Sequence, residues 1–293
     1  IKGADILING AAGLAKRLNI SDLVIGLTVV AFGTSMPEFV VNMVSVSKGI
    51  TDIAITNILG SNIINIFIII GCASLVYPIV SKPVSRKMDI PFMIGSALMV
   101  VIFTIFDGEI SRGNGVALLL MFIIFLWITF HFRRKEIADT NIKPIPIWKA
   151  IMLVLLGLVC LSLGGESIVY SATNIASRMG LSDAIIGLTI VALGTSLPEL
   201  ATSIVAARKG RSAIAIGNVI GSNVFNILLI LGLTATISPL EIEGITTLDM
   251  AVMLVSVVLV WLFSRTRYTV ERWEGALLLI GYLAYLAWLI SSL

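Results

Sequence analysis

The segment Ser21–Gly49 recurs 161 positions later as Ser182–Gly210, with 16 identities in 29 positions. The same offset carries Asn57, Gly60, Ser61, Asn62 and Asn65 onto Asn218, Gly221, Ser222, Asn223 and Asn226, and Asp5 onto Glu166. A long internal period of this kind means that one structural unit was duplicated, and the fold must accommodate both copies. Each copy consists largely of apolar runs, among them Phe92–Phe106, Gly115–Phe132, Ile151–Leu163, Met250–Phe263 and Gly275–Ile290. A helix needs ~20 residues to cross a bilayer, and these runs lie within segments of that length. Hydrophobic residues make up 58% of the chain and charged ones 13%, against about 25% charged in ordinary soluble domains. The chain therefore reads as an integral membrane protein. Its apolar runs are continuous rather than alternating, which indicates spanning helices and excludes the dyad pattern of a membrane barrel.

Five spans fit each copy, near 1–18, 21–48, 51–77, 88–106 and 113–132, then 147–178, 182–209, 212–237, 247–264 and 272–291. The expected fold class is all-α, with ten transmembrane helices. An odd number of spans per copy turns the second copy upside down, which is the inverted-repeat plan of many secondary transporters. The first repeat occupies 1–132, with its repeated core at 21–77, and the second occupies 147–293, with its core at 182–237. Between them, 133–146 is charged, carries Pro144 and Pro146, and reads as a linker. The apolar lead-in Ile147–Leu163 has no counterpart before Ile1, so the first helix is expected to be truncated at its start. Loops on one side hold 16 of the 20 basic residues, leaving Lys2, Lys48, Arg112 and Arg178 on the other. By the positive-inside rule the basic side, with the linker, is cytoplasmic, and both termini face out of a cell membrane.

Several classes of function are excluded by what the chain lacks. Its basic residues are spread over loops with no groove-binding motif, so no nucleic-acid partner is expected. Cys72 and Cys160 show no paired spacing, and the single histidine, His131, sits at a helix end beside Arg133 and Arg134. Neither pattern indicates a thiolate or imidazole metal site, and no serine–histidine–acid set exists for an intramembrane hydrolase. No enzyme, cofactor or protein partner is implied.

The repeated stretch itself reads GLTVVAFGTSMPE at Gly26–Glu38 and GLTIVALGTSLPE at Gly187–Glu199. Glu38 and Glu199 are the only ionisable side chains within Val24–Val46 and Ile185–Ala207, each near mid-span. A carboxylate at that depth costs a few kcal/mol on insertion scales and marks a functional site by default. Pro37 and Pro198 interrupt the helical hydrogen bonding, so breaks are expected near Gly33-Thr34 and Gly194-Thr195. Unwound backbone at membrane depth is tolerated only where it is buried or lines a cavity, and in transporters its carbonyls coordinate cations.

Ala31, Thr34, Ser35 and Glu38 share one helix face, as do Asn57, Ser61 and Asn65 on the next helix. The second copy supplies Ala192, Thr195, Ser196 and Glu199, with Asn218, Ser222 and Asn226. Joined about a pseudo-two-fold axis, these give two carboxylates among neutral oxygens, a donor set suited to a hard cation such as calcium. Sodium can use the same oxygens. Some of the small residues serve helix contact instead, as such residues commonly do in membranes; Gly26, Gly60, Gly187 and Gly221 are read this way. Asp5 and Glu166 are expected to face a cavity or another helix rather than to bind the ion.

The paired GTSMPE/GTSLPE and GSNIIN/GSNVFN motifs, in order and at fixed spacing over nearly the whole chain, resemble the α-repeats of the sodium/calcium exchanger family, within the cation/calcium antiporter superfamily. The resemblance implies a core of helices 2, 3, 7 and 8 across which helices 1 and 6 slide. It implies calcium held by Glu38, Glu199 and the carbonyls of Thr34 and Thr195. Sodium would add Ser35, Ser61 and the Ala31 carbonyl in one half, and Ser196, Ser222 and the Ala192 carbonyl in the other. Potassium-dependent members tend to carry an acid where Asn226 stands, so the amide argues against potassium co-transport. Asn65 is its counterpart in the first repeat. With only a short linker between the halves, the chain looks like a prokaryotic-type member without a regulatory domain.

The expected function is exchange of sodium for calcium by alternating access, both ions competing for the oxygens around the two glutamates. Calcium and sodium are transported ions, and the bilayer is the remaining partner. Burial favours the neutral form of a carboxylic acid, so a calcium/proton antiporter is the alternative. A cation channel could use similar oxygens, but broken, inverted halves argue against it.

Overall fold

The computed structural model describes residues 1–49, 51–132, 145–178, 192–242 and 245–291. Its helices are α1 (Lys2–Leu18), α2 (Asp22–Thr34), α3 (Met36–Ser47), α4 (Thr51–Val76), α5 (Ser85–Asp107) and α6 (Arg112–Phe132), then α7 (Ile147–Arg178), α8 (Ala192–Thr195), α9 (Leu197–Arg208), α10 (Ser212–Ile237), α11 (Thr247–Arg265) and α12 (Arg272–Ser291). Among the described residues, seven helices are long and apolar enough to cross a membrane, or up to eight if the bent pair α2–α3 is one span. The chain is a multi-pass membrane protein. At 17 residues, α1 is shorter than a full span. The expected span 182–209 and linker 133–146 begin outside the described residues, and α8–α9 is the described end of the former.

Two helices make the centre. The buried share of the most apolar stretch is 94% in α10 and 78% in α4, and 17% in α12 and 22% in α7. Large side chains such as Trp127, Leu155 and Ile280 are exposed on the outer helices, as suits a surface bathed in lipid tails. α2 crosses α10 very closely: a Cβ placed on Gly221 would stand 2.6 Å from the Leu27 carbonyl oxygen, and one on Gly26 would stand 2.9 Å from that of Ile214. Both glycines therefore serve helix contact, as expected. A Cβ on Gly60 meets nothing within 4 Å among the described residues; Gly187 and Leu188, the repeat counterpart of Leu27, lie outside them. α1 and α7 run antiparallel in close contact, with a Cβ on Gly157 only 2.6 Å from the Leu7 amide nitrogen.

Helix ends follow local chemistry. α1 stops at Asn19, which takes a left-handed conformation at φ 53°, and Ser21 accepts the Val24 amide at 3.3 Å to start α2. Thr246 and Asp249 cap α11 reciprocally. The all-α expectation misses two short antiparallel ladders, β1 (Ile79–Val80) with β4 (Thr269–Val270) and β2 (Glu109–Ile110) with β3 (Leu240–Glu241). Each joins a loop of one half to a loop of the other, a pairing that no run of alternating residues announces.

The breaks fall one residue later than expected. The α2–α3 pair bends by 44° at Ser35, whose φ and ψ are −81° and 7°, and the equivalent Ser196 has −87° and 5°. Pro37 and Pro198 sit in the first turn of α3 and α9, where a missing N–H leaves no bond unmade within the new helix. The new helix therefore starts before the proline and the serine becomes the joint.

Candidate functional site

Glu38 and Glu199 open the first turns of α3 and α9, and each is 1% exposed. The two halves interlock there. The Ser35 hydroxyl donates to Glu199 Oε1 at 3.0 Å, and the Ser196 hydroxyl donates to Glu38 Oε1 at 3.3 Å. Each broken helix thus lends its joint serine to the acid of the other half. Thr195 also lies beside the Glu38 carboxylate, and Thr34 and Ser222 lie beside that of Glu199. Among the described residues neither acid has an ion pair, and Glu38 Oε2 and Glu199 Oε2 are buried without a hydrogen-bond partner.

Further oxygens in the same state lie on α4 and α10. Ser61 Oγ, Ser222 Oγ, Asn65 Oδ1 and Asn226 Oδ1 are buried and have no partner among the described residues. Buried polar atoms normally find one, so these four oxygens, all at positions the sequence marked for the site, are open to a further partner. The asparagines are aimed by their amide ends. Asn65 Nδ2 donates to Asn223 Oδ1 at 3.3 Å, and Asn226 Nδ2 donates to Asn62 Oδ1 at 3.1 Å. Asn62 and Asn223 were not singled out in the sequence as orienting groups. Their signal was available, since each stands one helical turn before the repeat counterpart of the residue it faces across the halves.

A second supporting contact is Asn218, which donates to Ser203 Oγ at 3.0 Å while its Oδ1 lies 3.1 Å from the Thr34 hydroxyl. In the first half, Asn42 takes the Ser203 position and donates to the Glu38 carbonyl at 2.9 Å. The Ala31 carbonyl, expected as a sodium ligand, accepts the Ser35 amide at 3.0 Å and the Thr34 hydroxyl at 3.3 Å. Pro37 leaves the Gly33 carbonyl without its usual donor. Ala192 opens α8, the described end of its broken helix.

The arrangement suits one divalent cation, or monovalent cations in its place, because two acids of one sign share a dry site with neutral oxygens only. Taking charges out of water costs several kcal/mol per ion, and a cation between them offsets that cost without a protein base.

Comparison with known proteins gives a consistent answer. The sodium/calcium exchanger protein family matches residues 1–131 and 149–291. The chain is 36% identical to the putative antiporter CaxA of Alkalimonas amylolytica, covering 100% of this chain and 95% of that protein. It is 33% identical to the sodium/calcium exchanger MaX1 of Methanosarcina acetivorans, covering 98% and 94%. A structure of the sodium-calcium exchanger NCX_Mj soaked with 2.5 mM Na+ and 1 mM Sr2+ superposes with a TM-score of 0.86 at 33% identity, covering 98% and 93%. With its paired motifs, its interlocked glutamates and these relatives, the chain belongs to the sodium/calcium exchanger family.

Proposed function

We propose that this protein is a sodium-driven calcium antiporter of the cell membrane. Its ten spans form two inverted five-helix repeats, one at 1–132 and one at 147–293, joined by a cytoplasmic linker at 133–146, with both termini outside. The reciprocal bonds Ser35–Glu199 and Ser196–Glu38 support that symmetry, since exchanging the two halves turns one bond into the other.

The observation that carries the function is the pair of buried acids, each with one oxygen held by the opposite half and the other without a partner. In this reading calcium takes Glu38, Glu199 and the carbonyls of Thr34 and Thr195. Sodium ions take the same carboxylates with Ser35, Ser61 and the Ala31 carbonyl, and with Ser196, Ser222 and the Ala192 carbonyl. Asn65 and Asn226 complete the oxygen set. Exchange follows from exclusion: two ions that need the same carboxylates cannot share them, so each crosses on its own half-cycle. Alternating access then needs only that the surrounding helices expose the fixed site to one side at a time.

The test is calcium uptake by the purified protein in sodium-loaded vesicles, compared with sodium-free vesicles of equal osmolarity. Uptake that depends on the outward sodium gradient supports the reading. Equal uptake in both sinks sodium coupling, and uptake driven by a pH gradient alone establishes the proton alternative.

A further inference from the structure

An ion pair links α1 to the core. Lys209 Nζ, just beyond α9, stands 2.8 Å from Asp5 Oδ1 and 3.0 Å from Asn9 Oδ1. The repeat carries this pair to a second place. At the offset of 161, Asp5 falls on Glu166 and Lys209 falls on Lys48, so an acid on α7 and a lysine just beyond α3 recur in matching positions. Asn9 falls on Tyr170, which also carries an acceptor oxygen. The second pair is not made: Lys48 and Glu166 are exposed, and among the described residues neither has an ion-pair partner.

We propose that Asp5–Lys209 and Glu166–Lys48 are alternating latches, closed one at a time, that hold the α1–α7 pair at the two ends of its travel across the core. This rests on the alternating-access reading above.

Three observations carry it. α1 and α7 touch backbone to backbone at Gly157 and Leu7, and at Gly10 and Val154, so the two acids ride on one unit. Along that antiparallel pair, Glu166 stands about 12 Å beyond Asp5 at 1.5 Å per residue. The lysines ride on the other body, each ten residues past its site glutamate and so about 15 Å from it by helical rise. If the two repeats exchange conformations, the opening moves to the other side, and the made pair and the unmade pair exchange with it. A permanent structural clamp gives no reason for a matching acid and lysine to be kept apart in the other half.

The strength is also appropriate. The side chains of Asp5 and Lys209 are 46% and 29% exposed, and exposed ion pairs are weak because water and salt screen them. A latch of this kind biases one state without trapping it. Removing one, as in Asp5→Asn, is expected to shift the balance between the two facing states by roughly 1.5-fold to 5-fold, the range such pairs contribute.

The test uses full-length protein in which Cys72 and Cys160 are replaced by alanine, with exchange first shown to be retained. Two double variants follow, Asp5→Cys with Lys209→Cys and Lys48→Cys with Glu166→Cys, each joined in proteoliposomes by a short reducible bis-thiosulfonate reagent. Both pairs are expected to crosslink during turnover, each crosslink lowering exchange at least ten-fold until reduced. With all four cysteines present, the two crosslinks are expected never to occur in one molecule. The charge-swapped protein, Asp5→Lys with Lys209→Asp, is expected to regain the flux lost in Asp5→Lys alone. The proposal is overturned if Lys48→Cys with Glu166→Cys crosslinks no faster than the mismatched Lys48→Cys with Asp5→Cys, or if both crosslinks form in one molecule. Crosslinking reports which helices meet whatever ion is moved, so these results stand apart from the sodium-dependence test on the unsubstituted protein.

Discussion

The Ser35 hydroxyl donates to Glu199 Oε1 at 3.0 Å, so the joint of one broken helix holds the acid of the other. Ser196 does the same for Glu38 at 3.3 Å. A hydrogen bond to a charged group contributes about 1.5–3 kcal/mol, and each serine oxygen is also proposed to meet sodium. Ser35→Ala and Ser196→Ala are therefore each expected to raise the half-saturating concentrations of calcium and sodium by roughly ten-fold or more. Concentration dependences measured in vesicles check this; unchanged values for both ions in both variants would remove the serines from the site.

In the proposed site the glutamates carry the balancing charge. Glu38→Gln and Glu199→Gln keep the shape of the side chain and remove one of two negative charges. Breaking a buried charge pair costs about 3–5 kcal/mol, so calcium exchange is expected to fall by roughly a hundred-fold or more. Folding is expected to survive, because each acid already has an oxygen that no described residue satisfies. Size-exclusion profiles and calcium flux on the same preparations test both halves of this expectation. Substantial exchange by either monodisperse variant shows that its carboxylate is not a ligand.

Helix contact gives a prediction independent of transport. Gly221→Ala places a methyl group 2.6 Å from the Leu27 carbonyl oxygen, and overpacking of this kind costs about 1–3 kcal/mol. Gly60→Ala meets nothing within 4 Å among the described residues and gains helix propensity, about 1 kcal/mol over glycine. Thermal unfolding in detergent is expected to show a lower midpoint for Gly221→Ala and an equal or higher one for Gly60→Ala. The opposite order would mean that the α2–α10 crossing is looser than these distances require.

Much of this architecture was legible because it is local. Apolar run lengths marked α4 to α7 and α10 to α12 closely, and the proline before each glutamate marked the breaks to within a residue. Both signals depend on a few neighbouring residues and on rules of helix geometry. The interlocking was not legible in the same way. Ser35 and Glu199 are 164 positions apart, and nothing in either stretch says that its serine serves the other acid rather than its own. The same holds for Asn62 and Asn226, and for the strands Ile79–Val80 and Thr269–Val270. For Gly60 the contact reading falls partly outside the described residues: its repeat partner Gly221 meets Leu27, and Leu188, the counterpart of Leu27, is not among them. Asp5 was expected to face a cavity or another helix, and its partner Lys209 became visible only once α1 was seen against α9.

In the proposed site, the amides of Asn65 and Asn226 decide how many charges must be balanced. Each points its nitrogen at an asparagine of the other half and leaves Oδ1 without a partner among the described residues. An aspartate in the Asn226 position keeps that oxygen but adds a third negative charge to a site holding two. One calcium ion then no longer neutralises it, and like charges in a dry site repel strongly. The incoming Asp also turns the contact with Asn62 Oδ1 from a donated hydrogen bond into a clash of acceptors, unless the Asn62 amide rotates. A further monovalent cation or a proton relieves both effects. Exchange by Asn226→Asp is therefore expected to become stimulated by potassium and more sensitive to acid. Asn65→Asp is expected to act in the same direction, since it meets Asn223 as Asn226 meets Asn62. Sodium-dependent calcium flux measured against pH, with and without potassium, checks both variants. If neither profile moves, the asparagines stand outside the ion site, and their amide contacts with Asn62 and Asn223 serve only to join the two halves.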